Sequence, residues 1–124
     1  MITFCKSTQT ITYKGHSWEC RDAFFEGQNE AGEDRYSLPI GTYTASAETP
    51  PCDNGPGYGT FYIETGDSRE RDIHGGGSAL PEPYADRQGW YPTLGCLRMQ
   101  NIDGQELSYF MIDDGNEIKL EVIA

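Results

Sequence analysis

Apolar and polar residues alternate along much of this chain, and that alternation sets the expected architecture. Ile2-Thr3-Phe4-Cys5 and Thr10-Ile11-Thr12-Tyr13 each place every second side chain on an apolar face, and Lys14-Gly15 follows as a turn. This is the pattern of a β-hairpin with one buried side. Trp18 to Phe25 predicts a further strand, and the polar run Gln28 to Asp34 a loop. Leu38-Pro39-Ile40-Gly41 reads as a turn leading into a strand over Thr42 to Ala47, and the proline- and glycine-dense stretch Thr49 to Gly59 as a loop. Thr60 to Glu64 is rich in β-formers, and Arg71 to His74 forms a short strand that stops at Gly75-Gly76-Gly77. Ser78 to Thr93 is a second long loop, and Leu94 to Gln100 a strand. Asp103 and Glu106 stand at capping-box spacing, and Leu107, Phe110 and Met111 fall at helical spacing, which predicts a short helix over about 104–112. Asp114-Gly115 turns the chain into a last alternating strand, Glu117 to Ile123. The expectation is one mostly β domain over residues 1–124 with one short helix.

Composition agrees. A chain of 124 residues builds one core, not two ordinary domains. Fifteen glycines and seven prolines favour short strands and many turns over long helices. The net charge of -11 argues against nucleic acid as a partner, since that needs a basic face to neutralise phosphates. The acids are scattered, which describes a solvated surface or, more sharply, a face that meets a basic protein. No apolar run approaches the length of a membrane span. Met1 to Lys6 lacks the basic, apolar and cleavage segments of a secretory leader, so the chain is expected to be a mature domain or to be exported by another route.

The candidate chemistry lies in the second half. Cysteines stand at 5, 20, 52 and 96 with no CxxC pair, so neither a zinc ribbon nor a thioredoxin-type site is supported, and no cofactor is expected. A Cys5–Cys20 bridge and inert buried thiols are both open readings for the first three. In a strand, Cys96, Arg98 and Gln100 share one face and Leu97 and Met99 the other; Asp72 and His74 likewise share a face opposite Ile73. Each strand would press apolar residues into the core and present polar ones to a cleft. A thiol attacks carbonyls as thiolate, and an imidazole that takes its proton gives a thiolate–imidazolium pair. Of the two histidines, His74 beside three glycines is open to a neighbouring strand, whereas His16 has no chemical company. Gly95 lets backbone and its amides approach a developing oxyanion.

Ile73-His74-Gly75, a variable loop, then Thr93-Leu94-Gly95-Cys96-Leu97-Arg98-Met99 resembles the signature of the L,D-transpeptidase (YkuD-like) family: histidine-glycine, then Ser/Thr-x-Gly-Cys, an aliphatic residue and arginine. Leu38 to Tyr43, Tyr58-Gly59 with Phe61 to Ile63, and Asn101-Ile102-Asp103 resemble its flanking segments. Leu94 stands where many members have histidine. The resemblance implies a family-like β-sandwich in which Cys96 is the acylated nucleophile, His74 the general base, and the Gly75 carbonyl the group that orients the imidazole. It further implies an oxyanion hole from amides around Leu94, Gly95 and Cys96. Arg98 would bind a substrate carboxylate or make a structural salt bridge, and Tyr84, Trp90 and Tyr91 would cap the cleft or simply pack the loop.

The implied substrates are peptidoglycan stem peptides, acted on in the periplasm or the extracellular wall, by crosslinking, exchange or carboxypeptidase action. Small leaderless members resemble type VI secretion effectors, which would add delivery into a rival cell by a non-Sec system and a dedicated immunity protein as partner. Two rivals come from other classes. Papain-like and NlpC/P60 peptidases run cysteine before histidine, the reverse of this order. A wall-binding module without catalysis is the second.

Overall fold

The computed structural model describes residues 1–22, 37–91 and 95–124. Among these, β1 (Ile2–Cys5), β2 (Thr10–Tyr13), β3 (His16–Glu19), β4 (Gly41–Ala47), β5 (Tyr62–Glu64), β6 (Ile73–His74), β7 (Leu97–Arg98), α1 (Asn101–Asp113) and β8 (Ile118–Ile123) follow in chain order. The strands join in the order β3-β2-β1-β8-β4-β5-β6-β7. The mostly β architecture with one helix is the one the alternation predicts.

Alternation works because each strand buries one face. Ile2 and Phe4, Ile11 and Tyr13, and Ile118, Leu120 and Val122 are buried, while Thr12 and Lys119 between them are exposed. β1 pairs antiparallel with β2 and parallel with β8, so both ends of the chain meet in the middle of the sheet. β4 is the link between two groups of strands: Gly41 to Ala45 pair with β8, and Ser46 and Ala47 pair with β5. From there β5 pairs antiparallel with β6, and β6 parallel with β7. A parallel pair needs a long crossover. The connection from Gly75 to Cys96 is that crossover, which is why so long a loop separates the histidine from the cysteine.

Three readings are corrected. The strands over 60–64, 71–74 and 94–100 are shorter than the pattern predicts, at 62–64, 73–74 and 97–98. The helix begins at Asn101, not near 104, and Gly104 is buried inside it. No capping box forms: Gln100 is the N-cap and gives no side-chain cap, Asp103 accepts from Arg87 at 2.8 Å, and Glu106 accepts from Trp18 Nε1 at 2.7 Å. Both acids serve tertiary contacts instead. The reading of 28–34 as a loop, and of 23–25 as strand, lies outside the described residues.

The helix packs on β4 and β5 through Leu107 and Met111, beside Phe61, Ile63 and Ala45 in the core. Its first residue, Asn101, is fully buried and ties three segments together. Asn101 Oδ1 accepts from Thr60 N at 3.1 Å, and Nδ2 donates to the carbonyls of Pro83 (2.8 Å) and Ala85 (2.7 Å). Its backbone N donates to Gln88 Oε1 at 2.8 Å. Asn101→Ala would leave one buried donor and two carbonyls unpaired, so a loss of about 2 kcal/mol is expected. A drop in the urea midpoint together with faster proteolysis within 78–91 would check it; an unchanged midpoint would mean water replaces the amide fully.

Candidate active site

The two-residue strand β6 carries Ile73 into the core and His74 onto the opposite face. Its register sets the neighbours: Tyr62 of β5 lies opposite His74 on one side, Arg98 of β7 on the other. Ile73 is level with Leu97, so one step back Asp72 comes level with Cys96. The two polar faces read from the sequence are therefore one face, with Tyr62, His74 and Arg98 in a row and Asp72 and Cys96 beside it. The backbone bonds Leu97 N to Asp72 O (2.9 Å) and Met99 N to His74 O (3.1 Å) hold this alignment.

His74 is 3% exposed. Its Nδ1 lies 2.9 Å from the Gly75 carbonyl oxygen. A carbonyl only accepts, so Nδ1 carries the hydrogen and Nε2 keeps its lone pair in the neutral ring. Gly75 is itself held, its N–H donating to Tyr58 O at 3.0 Å. Close packing of the 55–59 loop explains the glycines: a Cβ at Gly76, whose φ is +72°, would lie 2.5 Å from Gly59 N and 2.7 Å from Pro56 O. Burial, with a contribution from the Arg98 charge, pushes the imidazole down to about 4.

Cys96 is in no disulfide and is of intermediate exposure, and Sγ donates to Glu70 O at 3.8 Å. The loop that presents Glu70 is clasped by Asp67, which accepts from Arg71 Nε at 2.8 Å and Nη2 at 3.1 Å. Burial raises the thiol above its ordinary value; the Asp72 charge adds to this while Arg98 and a hydrogen bond from the Asp72 backbone oppose it. Thiol and imidazole are therefore both neutral at rest. Gly95 is buried with φ +129°, a conformation for glycine alone. Thr93 and Leu94, with any oxyanion amide from Leu94, lie outside the described residues.

Arg98 is 5% exposed and makes no salt bridge among the described residues. Its Nη1 donates to Tyr91 O (2.6 Å) and Nη2 to Gly57 O (3.4 Å), and Nε has no partner among the described residues. Of the three loop aromatics, Tyr91 is thus drawn to Arg98. Trp90 lies under the Arg21 guanidinium, 4.2 Å from ring centroid to carbon, and Arg21 exchanges backbone hydrogen bonds with Arg98 (2.8 and 2.7 Å). Tyr84 is 44% exposed and has no hydrogen bond or ring contact with His74 or Cys96 among the described residues. His16 sits far along the sheet, its ring against Trp18 and Phe110. Cys20 is buried, Cys5 intermediate and Cys52 exposed, all three free, so the Cys5–Cys20 bridge does not form.

Sequence reasoning missed the roles of Tyr58, Tyr62 and Asn101. Asp72 was placed on the right face but without a partner: its Oδ2 accepts from Tyr62 Oη at 2.7 Å, and Oδ1 from Thr65 N at 3.0 Å. The signal for Tyr62 was available, since it follows Phe61 in alternation and must face away from the core. An open cavity of about 550 Å³ adjoins this face, lined by Tyr62, Asp72, Glu70, Glu64, Glu48 and Asn54 among others. Among the described residues no group of three histidine, cysteine or carboxylate side chains is arranged to hold a metal, and no helix is long and apolar enough to cross a membrane.

Burial of His74 has a measurable consequence for stability. The unfolded chain takes up its imidazole proton near the ordinary 6.5, the folded one only near 4. The unfolded state thus binds more protons across this window, and stability falls as pH is lowered from about 6.5 to 4, by on the order of 3 kcal/mol at the bottom. Carboxylates held down by hydrogen bonds, such as Asp67 by Arg71, lose their contributions only at lower pH. Urea midpoints at pH 7 and 4.5 should differ clearly in the native sequence and much less in His74→Gln; equal slopes in the two would contradict the buried neutral imidazole.

No protein-family model and no curated protein sequence matches the chain. Among solved structures it is similar to the L,D-transpeptidase (residues 123-326) from Xylanimonas cellulosilytica DSM 15894, with a TM-score of 0.47 and 11% identity over 98% of this chain and 58% of that one. The chain thus spans a little over half the length of that structure.

Proposed function

We propose that the protein is a cysteine acyl-transfer enzyme of the L,D-transpeptidase type, acting on peptidoglycan stem peptides. One observation supports this reading: the parallel β6–β7 register pairs His74 with Arg98 and Ile73 with Leu97, the residue after Cys96, and His74 Nδ1 lies at Gly75 O, which leaves Nε2 to serve as the base. The sequence motif around these residues supports the substrate class.

In the proposed reaction, Cys96 Sγ attacks the carbonyl of the third stem residue, which has L stereochemistry, at its bond to D-Ala. The thiol proton passes to His74 Nε2, and amides near Gly95 receive the oxyanion. The C–N bond then breaks, the imidazolium returns that proton to the leaving D-Ala amine, and a thioester remains on Cys96. An amine of a second stem, a free D-amino acid or water resolves it, giving its proton to His74, from which the released thiolate recovers one. Arg98, which makes no salt bridge among the described residues, suits a substrate carboxylate. The carboxylate-lined cavity beside Tyr62 suits an incoming amine better than an anion.

The test is mass spectrometry of the intact protein and of the products after incubation with disaccharide-tetrapeptide fragments. An acyl adduct mapped to the peptide containing Cys96, together with released D-Ala, is expected. A carbapenem offers a second acyl donor. Neither adduct nor product from any of these would favour a binding module instead.

A further inference from the structure

Two tyrosines outside the histidine and cysteine motifs enclose the candidate base. The Tyr62 ring lies parallel to the His74 ring, 9° between planes and 6.1 Å between centroids. Tyr58 meets the same imidazole edge-on, at 64° and 5.0 Å, and the two tyrosines touch each other at 6.0 Å. Edge-on and offset parallel arrangements are the favoured ones for such rings, so each contact restrains the imidazole plane as well as covering it.

Neither tyrosine is loosely placed. Tyr62 is fixed by its register opposite His74 and by its hydroxyl, which donates to Asp72 Oδ2 at 2.7 Å. Asp72 is fixed in turn by the Thr65 amide. Tyr58 is 48% exposed to solvent, yet its backbone is pinned: its N–H donates to Gly55 O at 3.1 Å and its carbonyl accepts from Gly75 N. Gly75 O is the acceptor for His74 Nδ1. One residue therefore restrains the imidazole twice, by its ring edge and through the peptide that sets the tautomer.

We propose that Tyr58 and Tyr62, the latter anchored by Asp72, are positioning residues that clamp the His74 ring so that Nδ1–H stays on Gly75 O and Nε2 stays available on the Cys96 face. What Nε2 then does rests on the acyl-transfer reading; the clamp itself does not. Among the described residues, the ionisable groups around the imidazole are Tyr58 from the 55–59 loop, Tyr62 from β5, Asp72 from its own segment, Arg98 from β7 and Cys96 just before it. Of these Asp72 favours the imidazolium and Arg98 opposes it, but burial is the largest influence. Removing a wall should therefore matter more than removing a charge.

The experiment is an NMR titration of the full chain with labelled histidine, His74 being assigned by comparison with His16→Gln. In the native sequence His74 should be a single Nδ1–H tautomer at neutral pH and titrate well below 6. Tyr58→Ala, at a half-exposed residue, should keep the fold, raise the titration midpoint by at least about one pH unit, and mix the tautomers. Tyr58→Phe should restore the native behaviour, because the edge contact needs no hydroxyl. With Cys96 acylation as a second readout, Tyr58→Ala should slow the acylation step about tenfold with its acid limb displaced upward by the same amount. A native His74 that titrates near 6.5 as mixed tautomers overturns the clamp, whether or not any variant folds, and so does a folded Tyr58→Ala whose His74 is unchanged. Absence of Cys96 acylation beside the expected titration would instead overturn the enzyme reading and leave the clamp standing.

Discussion

Cys96→Ala is expected to lower acyl transfer from stem peptides by at least about 10⁴-fold, which corresponds to about 5 kcal/mol of barrier. The substitution removes the only atom that would carry the acyl group, and no neighbour replaces it. Cys5 is on the first strand, Cys20 is buried and Cys52 sits in another loop. The fold should scarcely notice: the side chain is only partly buried and loses a single atom, so stability should change by no more than about 1 kcal/mol. Cys96→Ser should be nearly as severe. An imidazole pushed down to about 4 is a weak base, adequate for a thiol whose proton leaves as the bond forms and poor for a hydroxyl. Single-turnover acylation followed by intact mass, with thermal melts alongside, separates chemistry from folding. Cys96→Ala that still turns over stem peptide would end the proposal.

Gly104→Ala is the second large effect, and here two principles pull in opposite directions. Alanine in place of an interior helix glycine gains about 1 kcal/mol of helix propensity. A Cβ at this position, however, would fall on the Phe61 ring, at Cε1, Cζ and Cδ1. Phe61 is fully buried, and the ring has no retreat towards Gly75, where a Cβ itself would already lie 3.2 Å from Phe61 Cε1. Overpacking should win, with a net loss of about 3 kcal/mol and a fall in Tm of roughly 10 °C. Gly57→Ala, with nothing within 4 Å of the added Cβ, is the control and should be near neutral. If Gly104→Ala melts at the native temperature or above, the helix is not seated on Phe61 as described.

These two positions mark how differently the chain exposes its own design. Cys96 and His74 were singled out by the resemblance of their motifs to a known family; strand alternation added only that each would share a face with polar residues, because one face of each strand must be buried whatever its partners are. β1, β2, β4 and β8 were legible for the same reason, with boundaries close to those observed. Alternation could not give the length of β5, β6 and β7, since apolar residues continue past the point where a neighbour strand ends. It could not show that Gly104 is a contact and not a helix start, because the missing Cβ has meaning only against Phe61. Nor could it distinguish Asp103 and Glu106 as cap residues from partners of Arg87 and Trp18.

By itself, then, the order of residues determined a mostly β domain and two polar strand faces bearing a histidine and a cysteine, because period-2 burial is a local property. Tertiary structure decided that the two faces are one, since register is fixed by pairing between segments far apart in the chain. It also decided that the imidazole is neutral, dry and held by Gly75, Tyr58 and Tyr62, because desolvation depends on every group that packs around a site and none of those groups is its neighbour in sequence except Gly75.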